Sequence, residues 1–429
     1  MRVIVVGGGI GGLAVAVGLQ RASIEVVLYE RDVAARATGA ALSLFGNGFA
    51  ALDSLGVGER VRQLAGPMPL LRAGQRRPDG RWLATTPAAA TAQMRVVLRT
   101  DLHRALSSVL APGTVRTGNR VVQADPDGQV VVVNDSPDGP RTPRCERADL
   151  IVAADGLHSR LRGGWPGDPG TRYVGWSAWR GITSRPVDLH EAAGETWGRG
   201  LRFGLAPLGD GRVYWFAVAT VAEGQPLLPG TDDLSALHRR FAGWHDPIGE
   251  VLRCTGPEVV HRTAVRELAG PLPTFVRGRC VLLGDAAHAM TPDLGQGANQ
   301  ALEDAATLCA LLTGTARQQP GRESGRGFDR EPGRDLEAAL ARYDRLRRPR
   351  TQGVARQARR LGRLAQAPER WQAAARDLAL QLVPAGVIGR RAVQLQTWQP
   401  PQVQHTGQRP GQHAGQRTAA SEVASNSST

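Results

Sequence analysis

Three stretches of this 429-residue sequence combine residue types and spacings that can do chemistry. The first is Gly7-Gly8-Gly9-Ile10-Gly11-Gly12, directly after the apolar run Val3-Ile4-Val5-Val6 and before an apolar stretch carrying Leu13 and Val17. Gly7 allows a tight turn, Gly9 lets a pyrophosphate lie against bare backbone, and Gly12 lets a helix pack closely on the strand. The free N–H groups of that helix, from Ile10 and Gly11 onward, would face the phosphates. Eighteen residues beyond Gly12, Glu30 closes the run Glu25-Val26-Val27-Leu28-Tyr29-Glu30. Its carboxylate can accept hydrogen bonds from a ribose diol, and an acid there disfavours a 2′-phosphate, so the pattern points to FAD or NAD rather than NADP. The second stretch is Ala154-Asp155-Gly156-Leu157-His158-Ser159-Arg160-Leu161-Arg162, a loop closing on a ligand or, equally, an Asp-Gly turn with Ser159 as a helix cap. The third runs from Gly284-Asp285-Ala286-Ala287-His288 through Pro292 and Gly295-Gln296-Gly297-Ala298-Asn299 to Glu303-Asp304. An aspartate at a strand end can hold a sugar or ribityl hydroxyl. A helix starting at the glycine turn favours negative charge, and beside a flavin pyrimidine it would stabilise the anionic reduced ring.

Each stretch needs an element to position it. Residues 3–6, 150–154 and 280–283 are short apolar runs of the kind buried in a parallel sheet. Residues 95–108 read as a strand passing into an amphipathic helix, with Leu98, Leu102 and Leu106 on one face. From about 172 to 275 the texture changes to alternating, aromatic-rich strands, and six of the nine tryptophans lie between 165 and 244. The expected organisation is α/β: a Rossmann-like GxGxxG domain over 1–171 and 276–313, with an inserted antiparallel β-sheet domain over 172–275. A flexible linker is expected over 314–335, C-terminal helices over 336–398 and a disordered tail over 399–429.

Composition narrows the function. The formal charge is +14, and all 53 basic residues apart from histidine are arginine. Residues 314–363 hold 14 arginines against 6 acids, so nucleic-acid binding is a reading to test. No apolar run is long enough to span a membrane and no signal peptide is legible, so a cytoplasmic protein without a firm membrane or nucleic-acid partner is expected. The four cysteines lack metal or redox spacing and read as buried free thiols, and the histidines show no HxxxH pattern, so no metal is expected.

With three motifs in this order, residues 1–365 resemble the FAD-dependent aromatic-ring hydroxylases, the single-component flavoprotein monooxygenases. The Gln/Gly/Ser-rich end, where the phenol hydroxylase branch has a further domain, favours the salicylate/urate-hydroxylase-like branch. The resemblance implies that the glycine turn, Glu30 and Arg31 bind the ADP half of FAD, that Arg99 reaches the cofactor, that Val121 touches the adenine through its backbone, and that Ser43 approaches the flavin. It implies that Asp155 and Gly156 serve FAD and NAD(P)H, that Gly284 and Asp285 hold the ribityl and pyrophosphate region, and that Pro292 and residues 295–299 lie along the isoalloxazine. Arg180, in Trp179-Arg180-Gly181, and the pair Arg202 and Tyr214 are the implied substrate contacts; Arg202, Tyr214 and His288 are the catalytic candidates. The implied reaction uses transient NAD(P)H and O2 to hydroxylate an aromatic or polycyclic small molecule through a flavin C4a-hydroperoxide. Epoxidation or dehydrogenation of a natural product, and a flavin-binding interaction protein, remain as alternatives.

Overall fold

The computed structural model describes residues 1–33, 41–66, 72–135, 142–316 and 332–401. The buried runs assemble a six-stranded sheet in the order Val276–Arg277, Cys280–Leu282, Leu150–Ala153, Arg2–Val6, Glu25–Tyr29, Val115–Arg116. All its pairings are parallel except the first, a short hairpin. The register sets Val6 beside Ala153 and Tyr29, and Ala153 beside Leu282. The residues that follow these strands therefore emerge at one level on one edge. Three motifs separated by more than a hundred residues in sequence meet there because they leave neighbouring parallel strands in the same direction.

Helix Ile10–Arg21 packs on this sheet and on helix Gly297–Ala316. A Cβ at Gly18 would meet Cys309 and Leu55, so the small residue lets the two helices close up. A second sheet of seven strands runs His261–Leu268, Thr171–Ile182, Val213–Thr220, Leu201–Pro207, Ala192–Trp197, Arg72–Arg76, Trp82–Thr86. The expected antiparallel pattern holds for five pairings; the sixth, Ala192–Trp197 with Arg72–Arg76, is parallel and recruits two strands from before residue 172. Alternation along these strands divides the aromatics. Trp179, Phe203 and Trp215 point to one face and form a core with Phe241, Ile248 and Leu252. Trp176, Tyr214 and Phe216 belong to the other face.

The small sheet of Ala41–Leu44 and Arg95–Leu98 lies against that second face, through Ala41, Val96 and Tyr214. Helix Pro332–Ala365 crosses both halves, followed by helices Arg370–Leu382 and Ala385–Gln396. Of the stretch 314–335, residues 314–316 and 332–335 are helix ends, and 317–331 lie outside the described residues, as do 402–429. Cys254, Cys280 and Cys309 are buried, whereas Cys145 is exposed, contrary to expectation. Among the described residues, no helix is long and apolar enough to cross a membrane.

Candidate functional site

At the first motif the glycines divide into two kinds. Gly7 has φ +104°, and a Cβ there would fall on the Ala154 carbonyl; a Cβ at Gly12 would fall on the Gly7 carbonyl. Gly9 has no neighbour within 4 Å of where its Cβ would be. The turn thus has a wall of protein behind it and open space before it, as a phosphate-binding turn requires. Glu30 holds the turn in place: its Oε2 accepts from Gly8 N at 2.7 Å and its Oε1 from Asp32 N at 2.9 Å. His103, on helix Arg99–Ser107, donates from Nε2 to the Gly8 carbonyl at 3.0 Å. Sequence reasoning missed His103, which carries no motif of its own. Arg99 opens that helix exposed, with no hydrogen bond or ion pair among the described residues, and Arg31 is likewise largely exposed. The chain beside Glu30 is pinned by Asn119 N donating to Glu30 O at 2.9 Å, which brings the strand of Val121 to this end of the site.

The second motif is a turn that ties itself. Asp155 Oδ2 accepts from Arg160 N at 2.9 Å and Leu161 N at 3.3 Å, and Ser159 caps the short helix by accepting from Arg162 N. Among the described residues, Asp155 Oδ1 is buried without a hydrogen-bond partner, and Gly156, at φ +82°, has no neighbour within 4 Å of where its Cβ would be. The buried Arg162 bonds Asp168 Oδ1 at 2.9 Å and the Ala286 carbonyl at 3.1 Å, joining the second motif to the third. Arg162 lies at the end of the motif as read from the sequence, where it had no role of its own.

The third motif rests on a buried polar network. Gly284 turns at φ +64°, and its N–H donates to Asp304 Oδ2 at 2.9 Å. The same oxygen accepts from His288 Nε2 at 2.6 Å, while Asp304 Oδ1 meets Arg347 Nε at 2.6 Å. Arg347 also pairs with Glu303, which accepts from Asn47 and Gln300 and from Arg350 at 2.7 Å. Burial alone would raise the Asp304 carboxyl, but His288 and Arg347 outweigh it and hold it below the ordinary aspartate value. His288 is 3% exposed; its Nε2 donates to Asp304, and its Nδ1 is buried with no hydrogen-bond partner among the described residues. Gln296 and Asn299 also turn inward. Gln296 Oε1 accepts from Asn47 and Gln300. The Asn299 amide bonds the Ser43 and Gly295 carbonyls and the Phe45 N–H, stapling the Ser43 loop to the glycine turn. Asp285, by contrast, is exposed and its carboxylate has no partner among the described residues; Gly297 and Ala298 open the long helix beside it, with free space at Gly297.

Arg202 sits on the far sheet but is 2% exposed and fully engaged. It meets Asp293 Oδ1 at 2.6 Å, Gln366 Oε1 at 3.1 Å and Glu195 Oε2 at 3.5 Å. Asp293 follows Pro292, so this arginine ties the sheet to the third motif. Tyr214 lies diagonally across the strand pair from Arg180, on the same face of the sheet. Burial raises the Tyr214 phenol above its ordinary value, with Arg180 opposing. Trp179, next to Arg180 in sequence, points the opposite way into the core. The arginine-rich segment likewise turns partly inward, at Arg347, at Arg350 and at Arg359, which pairs with Glu267.

These features have counterparts in known proteins. A family model described as FAD binding domain matches residues 1–324. The chain is 34% identical over 374 residues to aurachin C monooxygenase/isomerase of Stigmatella aurantiaca, covering 85% of this chain and 90% of that protein. It is 33% identical to an FAD-dependent urate hydroxylase of Klebsiella pneumoniae, covering 84% and 89%. The structure of Klebsiella pneumoniae HpxO complexed with FAD and uric acid superposes with a TM-score of 0.77 at 29% identity, over 92% of this chain and 96% of that one. The chain belongs to the FAD binding domain family, among the FAD-dependent aromatic-ring hydroxylases.

Proposed function

We propose that this FAD-dependent monooxygenase hydroxylates a flat aromatic or polycyclic small molecule, with NAD(P)H as transient reductant and O2 as co-substrate. The residues fit the cofactor: open space before Gly9 for a pyrophosphate, Glu30 at the adjoining strand end, and the unpaired Asp285 carboxylate for the ribityl chain. Bound FAD, once reduced, activates O2 for transfer of one oxygen atom.

The observation that carries the reading is the apolar sheet face of Trp176, Ala178, Tyr214, Phe216 and Val218, set against the small sheet that bears Ser43. Asn299 ties Ser43 to the glycine turn beside Asp285, so a ring lying on that face is presented to the cofactor segment. Tyr214 and Arg180 place a phenol and a cation on the face, suited to a substrate hydroxyl, carbonyl or carboxylate. The apolar walls exclude water from the transfer. Arg202, His288 and Asn299 act as positioning residues. Relatives named for urate, quinolone and aurachin chemistry support a ring substrate.

The test is a panel of phenolic and bicyclic heteroaromatic compounds scored for stimulated NAD(P)H oxidation, with mass spectrometry after turnover under isotopically labelled O2. One labelled oxygen in a ring product is the expected result. Stimulated oxidation that yields an unsaturated product free of label would replace hydroxylation with dehydrogenation.

A further inference from the structure

The helix Arg370–Leu382 has two unlike faces. Its inner face is Ala373, Arg376 and Asp377; Arg376 donates to the carbonyls of Trp197, Gly198 and Ala365, and Asp377 pairs with Arg77 at 3.0 Å. Its outer face carries Trp371, Leu378 and Leu382, exposed by 70%, 58% and 73%. With Ala375 these fall at spacings of four, three and four, the period of one apolar helical stripe. Val383 and Val387 continue it, both exposed. Between residues 371 and 389 the only charged residues are Arg376 and Asp377, and both are buried. A contiguous uncharged apolar surface led by a tryptophan is unusual on a chain of this charge.

The surroundings identify its partner. Residues 345–401 contain twelve arginines and two acids. Arg356, Arg360, Arg363, Arg370 and Arg390 are exposed and have no acidic partner among the described residues. A second copy of the chain would bring two arginine-rich regions of like charge together. The sequence from 402 to 429 has little apolar content to set against the stripe, Val403 and Val423 being its large aliphatic residues. Nucleic acid would satisfy the arginines and leave the apolar side chains without contact. An anionic bilayer matches both parts: its headgroups meet the arginines, and the acyl boundary receives Trp371, Leu378 and Leu382. We infer that this face docks the enzyme peripherally on an anionic membrane surface, with the helix Arg370–Leu382 lying in the interface plane.

The test uses the full FAD-loaded chain and flotation on phosphatidylglycerol/phosphatidylcholine vesicles, with pure phosphatidylcholine vesicles as control. The chain should float with the anionic vesicles and stay in solution with the neutral ones. The double change Trp371→Glu and Leu378→Glu, at exposed positions, should cut the bound fraction by about tenfold or more while flavin content is unchanged. Arg360→Ala with Arg363→Ala should weaken binding and reduce its salt sensitivity. Failure of the wild-type chain to float, or undiminished flotation of the double variant, would overturn the inference. A concentration-dependent dimer that the double variant abolishes, without vesicle binding, would assign the face to a second copy instead.

Discussion

Gly9 and Gly12 stand three residues apart and fail for opposite reasons when changed. A Cβ at Gly9 meets nothing within 4 Å among the described residues, whereas one at Gly12 strikes the Gly7 carbonyl. Gly9→Val is expected to leave the apoprotein within about 1 kcal/mol of wild-type stability and to abolish FAD binding, so the purified variant is colourless. Gly12→Val is expected to lose FAD and also about 1–3 kcal/mol of stability through overpacking. Asp285→Ala should lower FAD occupancy without affecting the fold, since that carboxylate has no partner to lose among the described residues. A yellow Gly9→Val preparation would refute the placement of the pyrophosphate. On the sheet, Arg180→Gln should lower kcat/KM by about tenfold to a hundredfold, the worth of one hydrogen bond to a charged group. Tyr214 stays neutral beyond its ordinary value of 10.0, because burial raises it more than Arg180 lowers it. The wild-type profile should therefore show no Tyr214 limb at neutral or mildly alkaline pH, and such a limb would contradict the burial argument.

At the scale of elements, the helices Gly297–Ala316 and Pro332–Ala365 are joined by charge rather than by apolar packing alone. Removing Arg347 takes a buried cation from both Glu303 and Asp304 and leaves them only Arg350 and His288, a loss of up to about 3–5 kcal/mol. Arg347→Leu should therefore melt early and release FAD, because Asp304 also holds the Gly284 N–H. A denaturant midpoint equal to wild type would count against this. The Asp304 carboxyl is held below its ordinary 3.8, so its contribution is present above that pH and lost as pH falls through the lower, folded value. Asp304→Asn should remove that part of the acid transition. None of this network was legible in the sequence. The strand–turn–helix of residues 3–21 was, because it is a local pattern in which each glycine has a role set by its immediate neighbours. Arg347 and Asp304 are 43 residues apart, and only the packing of two helices makes them partners. The same holds for Arg202: its strand was legible, its partner Asp293, 91 residues away, was not. The two-residue alternation of Tyr214, Trp215 and Phe216 separated the faces of the sheet, but both faces are buried, so pattern alone could not say which one meets the cofactor segment.

For the whole molecule, the arrangement makes FAD a shared support for parts that are distant in sequence. The three motifs leave adjacent strands, Arg162 links the second to the third, and Arg202–Asp293 links the third to the sheet. Helix Pro332–Ala365 adds a further tie through Arg359 and Glu267. A ligand that binds the folded chain alone stabilises it by about 2.7 kcal/mol at a hundredfold excess over Kd. If the two halves unfold together, that gain must also appear in a probe that reports on the sheet. Six of the nine tryptophans lie between residues 165 and 244, so tryptophan emission follows mainly that half. Added FAD should therefore move the tryptophan-monitored midpoint upward together with the midpoint of flavin release. Arg202→Ala should uncouple them, since it cuts the buried bridge between sheet and motif and leaves Asp293 without its cation. Tryptophan unfolding that ignores FAD in the wild-type chain would mean that the sheet stands independently, and that Arg202 supports the substrate face without transmitting cofactor binding to it.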